Sequence, residues 1–319
     1  MGSPAEATPG EQHEQLVREL QADGRAPFSR IAQSLGVSEQ TVARRYRHLY
    51  GMGLRVVGQP VPDRLGRLSW LLRLHCTPDA AAKIADALAR RPDTSWITLA
   101  SGGTELYCGV TTRTHEERDA LLLHRLPRTP SLVSVQAYCL LRAFTDTPAT
   151  SRYPQEPLDR PGLPADDELV ALDTTDELLL AELAEDGRRP LPELALAVGR
   201  SPSGVKRRLE RLRSTGALEF VVDFPPQHFG YYMPVRLWLR VTPGELSTIG
   251  TTLAGHPEII FVAAITGPSN LVATGLFRGN HDLYAYLNDR IGALPGVQSV
   301  ETAPILREVK RLLYGPLRP

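Results

Sequence analysis

Between Arg200 and Arg213 the sequence places six basic residues, Arg200, Lys206, Arg207, Arg208, Arg211 and Arg213, against one acid, Glu210. Cations at that density can neutralise phosphates, while the short hydroxyls just ahead of them, Ser201 and Ser203, suit base edges. A weaker version lies earlier: Ser38, Gln40 and Thr41 precede Arg44, Arg45 and Arg47, and Glu39 is the single acid between Ser38 and Tyr50. A solvated charged helix face is the competing reading of either cluster taken alone. Elsewhere the sequence offers little for catalysis. It contains no P-loop, G-x-G-x-x-G, H-E-x-x-H or G-x-S-x-G pattern. His75-Cys76 has no partner at metal-ligand spacing, and His115, His124, His256 and His281 stand apart from one another. Cys76, Cys108 and Cys139 are odd in number and widely spaced, which argues against a disulfide framework or a zinc knuckle. Trp70, Trp96 and Trp238 fall on or beside strand-like segments, where burial is the default. The expectation is no catalytic residue, no metal and no cofactor.

The clusters stand out against a neutral background. Lys+Arg and Asp+Glu are both 36 in 319 residues, so a basic face has to come from local segregation. The start, Met1-Gly2-Ser3-Pro4-Ala5-Glu6, has neither a basic nor an apolar stretch of a secretory signal, and no run approaches the ~18 apolar residues of a membrane span. A cytoplasmic protein with no membrane partner is expected.

The elements that position the clusters occur twice. Asp23-Gly24-Arg25-Ala26-Pro27 returns as Asp186-Gly187-Arg188-Arg189-Pro190, 163 positions on. The same offset pairs Ala32 with Ala195, Gly36 with Gly199, Ser38 with Ser201, Arg45 with Arg208 and Gly53 with Gly216. Further along the offset is 165, pairing Thr77-Pro78 with Thr242-Pro243 and Pro92 with Pro257. The chain is a tandem duplication.

Each copy opens with apolar residues at helical spacing (Leu16, Val17, Leu20; Leu179, Leu180, Leu183). A short second helix follows Pro27 or Pro190 and stops at Gly36 or Gly199. Ser38 or Ser201 caps a third, whose buried stripe is Val42, Tyr46, Leu49 or Val205, Leu209, Leu212. Two helices joined by a tight turn, the second carrying the basic cluster, is the helix-turn-helix layout, and its twofold occurrence favours double-stranded DNA over a solvated face. Pro202 is harmless in a first turn, but Gly204 costs the second copy's helix about 1 kcal/mol relative to Ala. The copies are therefore expected to read DNA unequally, at a site less palindromic than usual. The rest of each copy predicts β-α-β-β-α-β, the ferredoxin-like order.

The expected fold is α+β: two repeats of a winged or helix-turn-helix three-helix domain (11–55 and 173–220), each followed by a ferredoxin-like sandwich (64–145 and 228–315). A disordered tail over 1–10 and a Pro-rich acidic linker over 146–172 complete the division.

Leu172-Asp173-Thr174-Thr175-Asp176, Asp186-Gly187-Arg188, Glu193-Leu194-Ala195, Val198-Gly199-Arg200-Ser201, Val205, Arg208, Leu212 and Gly216 resemble the N-terminal domain of the Lrp/AsnC (leucine-responsive, feast/famine) class of bacterial transcription regulators. The first copy is similar but lacks the opening Leu-Asp-x-x-Asp. The resemblance implies a DNA-binding regulator whose second domains, of the RAM type, bind an amino acid or other small metabolite and join chains into homo-oligomers. The family's Thr-Gly-x-x-Asp effector turn corresponds here to Ser101, Gly102 and Glu105 and to Thr266, Gly267 and Asn270, both departing at the Asp. Two other readings compete. Siroheme decarboxylases pair two such units, but their Arg-Arg-x-Gly signature is missing, since the positions read Arg213-Ser214-Thr215-Gly216 and Gly51-Met52-Gly53. A small-molecule sensor or scaffold without DNA binding is the third.

Overall fold

The computed structural model describes residues 9–145 and 169–312. The expected tail lies outside these residues except at its last two, which begin the first helix, and the expected linker lies outside them up to 168. The described chain divides by kind of domain rather than by copy. Residues 9–60 and 172–229 form one compact unit, and 61–145, 169–171 and 230–312 another.

The first unit contains both three-helix heads. In the first head α1 (Pro9–Ala22), α2 (Phe28–Leu35) and α3 (Glu39–Gly51) bury Leu16, Leu20, Ile31, Val42 and Leu49 in a common core. Strand β1 (Arg55–Pro60) follows. Gly36 adopts φ +64° at the turn, as a helix end closed by a left-handed residue requires.

The barrel unit comes next in the chain. Strand β2 (Leu68–Cys76), α4 (Ala81–Ala89), β3 (Thr94–Ala100), β4 (Glu105–Thr112), α5 (His115–Asp119, continuing as a π-turn to Arg125) and β5 (Leu132–Ala143) supply its first sandwich.

The second head consists of α6 (Thr174–Glu185), α7 (Leu191–Ala197) and α8 (Pro202–Ser214), followed by β6 (Leu218–Asp223). The expected weakness at Gly204 does not shorten α8, which has 13 residues like α3. The Gly204 amide is itself the donor that Ser201 Oγ caps, at 3.2 Å.

The second sandwich repeats the first with β7 (Met233–Val241), α9 (Leu246–Ala254), β8 (Ile259–Ile265), β9 (Leu271–Phe277), α10 (Asn280–Ala285, again continued by a π-turn) and β10 (Val297–Lys310). The two four-stranded sheets close into one eight-stranded barrel, in the order β10-β3-β4-β2-β5-β8-β9-β7. The long last strands do the joining. β5 pairs with β2 of its own copy and β8 of the other, and β10 with β7 and β3. Each sheet packs one face on its own helices, around Leu72, Leu74 and Leu106 or Leu237, Leu239 and Ala273. The opposite faces meet inside the barrel around Tyr107, Tyr138 and Trp238.

Candidate functional site

The heads are held to each other by a device the sequence reading did not foresee. β1 beyond residue 55 and β6 beyond residue 220 fall between the expected domains; the two strands pair antiparallel with Val57 opposite Val221 and Gly58 opposite Phe220. Positions 57 and 220 are equivalent in the repeat, so the ribbon has an internal twofold. Around it Arg25 donates to the Gly187 and Arg189 carbonyls at 2.5 and 3.0 Å. Its repeat equivalent, Arg188, donates to the Gly24 and Ala26 carbonyls at 2.6 and 2.9 Å. Burial, and for Arg25 the charge of Arg188, hold both guanidinium pKa values below normal. The intervening glycines permit the approach: a Cβ on Gly187 would lie 2.8 Å from the Val57 carbonyl carbon, and one on Gly24 would lie 2.8 Å from Phe220 Cβ. The repeated Asp-Gly-Arg is thus a clasp, and its signal in the sequence was its recurrence.

Both third helices begin as expected. Ser38 Oγ accepts from the Thr41 amide at 3.1 Å, and Ser201 plays the same part in α8. Ser38, Gln40, Ser201 and Ser203 are exposed and Thr41 is half-buried, so the polar N-terminal ends are open to solvent. Arg44 and its repeat equivalent Arg207 are exposed and have no ion pair or hydrogen bond among the described residues. Lys206 reaches only Glu210, at 3.9 Å, and Arg47 bonds its own helix at the Ala43 carbonyl, 3.3 Å away.

The next positions are occupied differently. Arg208 donates to Asp176 Oδ1 and contacts Asp173 Oδ2, both at 2.8 Å, and Arg211 meets Asp176 Oδ2 at 2.5 Å. Asp176 is 1% exposed and completes a capping box with Asp173 at the start of α6. Hydrogen bonds to Asp176 and Asp173 hold the Arg208 guanidinium above its ordinary pKa. Arg45, the counterpart of Arg208, donates to Gln12 Oε1 at 2.6 Å. The first copy has no aspartate to offer: His13 occupies the equivalent of Asp176 and His48 that of Arg211, their ring centroids 5.2 Å apart. Burial first, then the charges of His48 and Arg45, lowers the His13 pKa.

The candidate effector turns are tied into the barrel. Ser101 and Gly102 have φ of +50° and +72°. Glu105 is 3% exposed; one oxygen accepts from Arg73 and the other from Ser101 Oγ. Arg73 also holds Glu301 and lies 5.0 Å from the Trp238 ring. Burial opposes its charge, but hydrogen bonds to Glu301 and Glu105 prevail and raise its pKa. In the other turn, Thr266 Oγ1 accepts from the Cys139 amide at 2.9 Å. Asn270 brackets Val241, Oδ1 accepting from its N–H and Nδ2 donating to its carbonyl, both at 2.8 Å. An aspartate cannot make both bonds, which accounts physically for Asn at this position. Gly267, at φ +109°, lies under Tyr138, whose Cε1 would be 2.5 Å from an added Cβ.

Among the described residues no cluster of three or more His, Cys, Asp or Glu could hold a metal ion.

A model of the AsnC-type helix-turn-helix domain matches residues 14–49 and again 172–213, and one of the Lrp/AsnC ligand binding domain matches 235–313. The HTH-type transcriptional regulator FL11 of Pyrococcus horikoshii is 30% identical over 150 residues, 47% of this chain and 99% of the relative. The HTH-type transcriptional regulator Rv2324 of Mycobacterium tuberculosis is also 30% identical, over 42% of this chain and 92% of its own length. Among solved structures, the siroheme decarboxylase NirDL aligns with a TM-score of 0.65 over 94% of this chain and 93% of that one, at 16% identity, a likeness of fold alone. Because relatives of about half its length match almost from end to end, and the helix-turn-helix signature recurs at the spacing of the repeat, this chain belongs to the Lrp/AsnC family, with two of the family's units in one polypeptide.

Proposed function

We propose that the chain is a sequence-specific, DNA-binding transcriptional regulator acting in the cytoplasm, and not an enzyme. The observation that carries the reading is a pair of solvent-open third helices, joined within one unit by the Arg25–Arg188 clasp and the β1–β6 ribbon. Two heads so joined would address half-sites one turn, about 34 Å, or multiples apart. Ser38, Gln40, Thr41, Ser201 and Ser203 would approach base edges, and Arg44, Arg47, Lys206 and Arg207 the phosphates. Arg45, Arg208 and Arg211 would act mainly by fixing the third helices to their own heads. The sequence of α3 differs from that of α8 at the leading positions, which supports unequal half-sites.

An amino acid or other small metabolite is the expected modulator. At the two turns, contact would fall to the exposed Gly102 and Gly267 backbone, since Glu105 and Asn270 are already engaged. Assembly of several chains is supported by Leu141 and Leu306, equivalent residues of β5 and β10 that are 60% and 62% exposed.

Fluorescence anisotropy of genomic fragments, titrated with the full chain at several salt concentrations, tests the DNA reading. Affinity should fall steeply with salt, and Arg44→Ala with Arg207→Ala should weaken binding and flatten that dependence. Binding indifferent to salt, or no binding to any fragment, would refute it.

A further inference from the structure

Among the described residues, the interior of the barrel contains one cation without a counter-ion. Arg236, on β7, is 5% exposed, and its Nε has no hydrogen-bond partner among the described residues. Its neighbours across the ladders are the short side chains of Ala303 on β10 and Thr274 on β9. Its guanidinium carbon lies 5.4 Å from the centroid of the Tyr107 ring. Buried Glu105 and the more exposed Glu301 both pair with Arg73, so neither neutralises Arg236. Burial pushes the Arg236 pKa down to about 10, so the group is still a cation at neutral pH. A second buried polar atom without a partner, Thr98 Oγ1, belongs to the ladder partner of the same Tyr107. A desolvated guanidinium lacking an anion is unfavourable, and an anion placed beside it recovers that loss through charge-assisted hydrogen bonds.

The position is also unique in the chain. The repeat places Leu71 of β2 where β7 has Arg236. A homodimer would present such a charge twice across its axis, whereas the fused pair presents it once.

We propose that the barrel interior is a binding site for one small carboxylate per chain, held by Arg236 and the hydroxyls of Thr98 and Thr274, with its apolar body against Tyr107 and Trp238. This goes beyond the regulator reading, and it is measured without DNA so that either can fail alone.

The test is isothermal titration of the full chain with acetate, isobutyrate and benzoate, with benzamide and sulfate as controls, alongside tryptophan fluorescence. At least one carboxylate should bind with a stoichiometry of one and change the fluorescence, while benzamide should not bind. Arg236→Leu, which installs the residue of the other copy, should weaken binding at least about tenfold. Should that variant fold poorly, Thr98→Val should weaken binding in the same direction. In the unaltered protein, carboxylate should also shift the Arg236 Nε–H resonance. No binding by any of the three carboxylates, two sites per chain, equal affinity in Arg236→Leu, or binding of sulfate alone would overturn the proposal.

Discussion

Arg207 and Arg208 are adjacent in sequence, and their substitution should have opposite consequences. Arg207 is exposed and unpaired among the described residues, while Arg208 is tied to Asp176, whose side chain is 2% exposed. Asp176→Ala removes two charge-assisted hydrogen bonds and the return bond to the Asp173 amide at 3.2 Å. Bonds of that kind contribute about 1.5–3 kcal/mol each when the partners are desolvated. Because the arginine ends are 27% and 40% exposed and can turn to water, about 2–3 kcal/mol in total is the realistic loss. Arg208→Ala should forfeit part of this stability yet leave the salt dependence of DNA affinity unchanged. Arg207→Ala should leave stability within about 0.5 kcal/mol and lower the logarithmic salt slope by about 0.9, the share of one phosphate contact. Urea denaturation and anisotropy at four salt concentrations measure the two quantities on each variant. A stable Arg208→Ala protein with a reduced slope, beside an unaffected Arg207→Ala, would show that the Asp176 pairing does not persist on DNA.

Three further outcomes follow from the geometry. Arg25→Ala with Arg188→Ala removes four hydrogen bonds between the heads. The variant should discriminate less sharply than the native chain against an operator whose half-sites are moved apart by half a turn, as read by competition binding. In the first head, His13 has a lowered pKa, so the unfolded chain binds its proton more readily. Stability from this site is present above pH about 6.5 and declines as pH falls through that value. Replacing the pair by the other copy's residues, His13→Asp with His48→Arg, should lessen the decline in denaturation curves collected from pH 7 to 5, leaving the share of His256, whose pKa burial also lowers. Asn270→Asp sets a carboxylate against the Val241 carbonyl in place of a donor, and should cost about 1–3 kcal/mol in the same assay.

Local signals identified much of this architecture. Capping serines, glycines at left-handed turns and the helical spacing of Val42, Leu49, Val205 and Leu212 are short-range features, and they located every head helix. Strands Ile259–Ile265 and Leu271–Phe277 are apolar runs bounded by turn residues, which mark their own ends in the sequence. The ribbon was not legible. Arg55–Pro60 contains a glycine and ends in proline, and its pairing partner lies more than 150 positions away. Nor does a list of basic residues distinguish Arg207 from Arg208, since the difference lies in an acid one helix away in space. The sequence did contain a hint, because Asp173 and Asp176 stand where the first copy has neither. Arg236 is hidden in the sequence for a related reason. In a strand of alternating character an arginine reads as solvent-facing, and only closure of the barrel turns that face inward.

The reciprocal strand exchange that closes the barrel has a consequence for inheritance as well as for shape. In an assembly of two separate subunits, a defective allele can combine with a sound one and spoil it, and dilution dissociates the pair. Here the two halves are always of one genotype and present at a ratio of one to one, so that partnership has no dissociation constant to tune. A substitution in either half is also free of a mirror-image copy, and the two can drift toward different tasks.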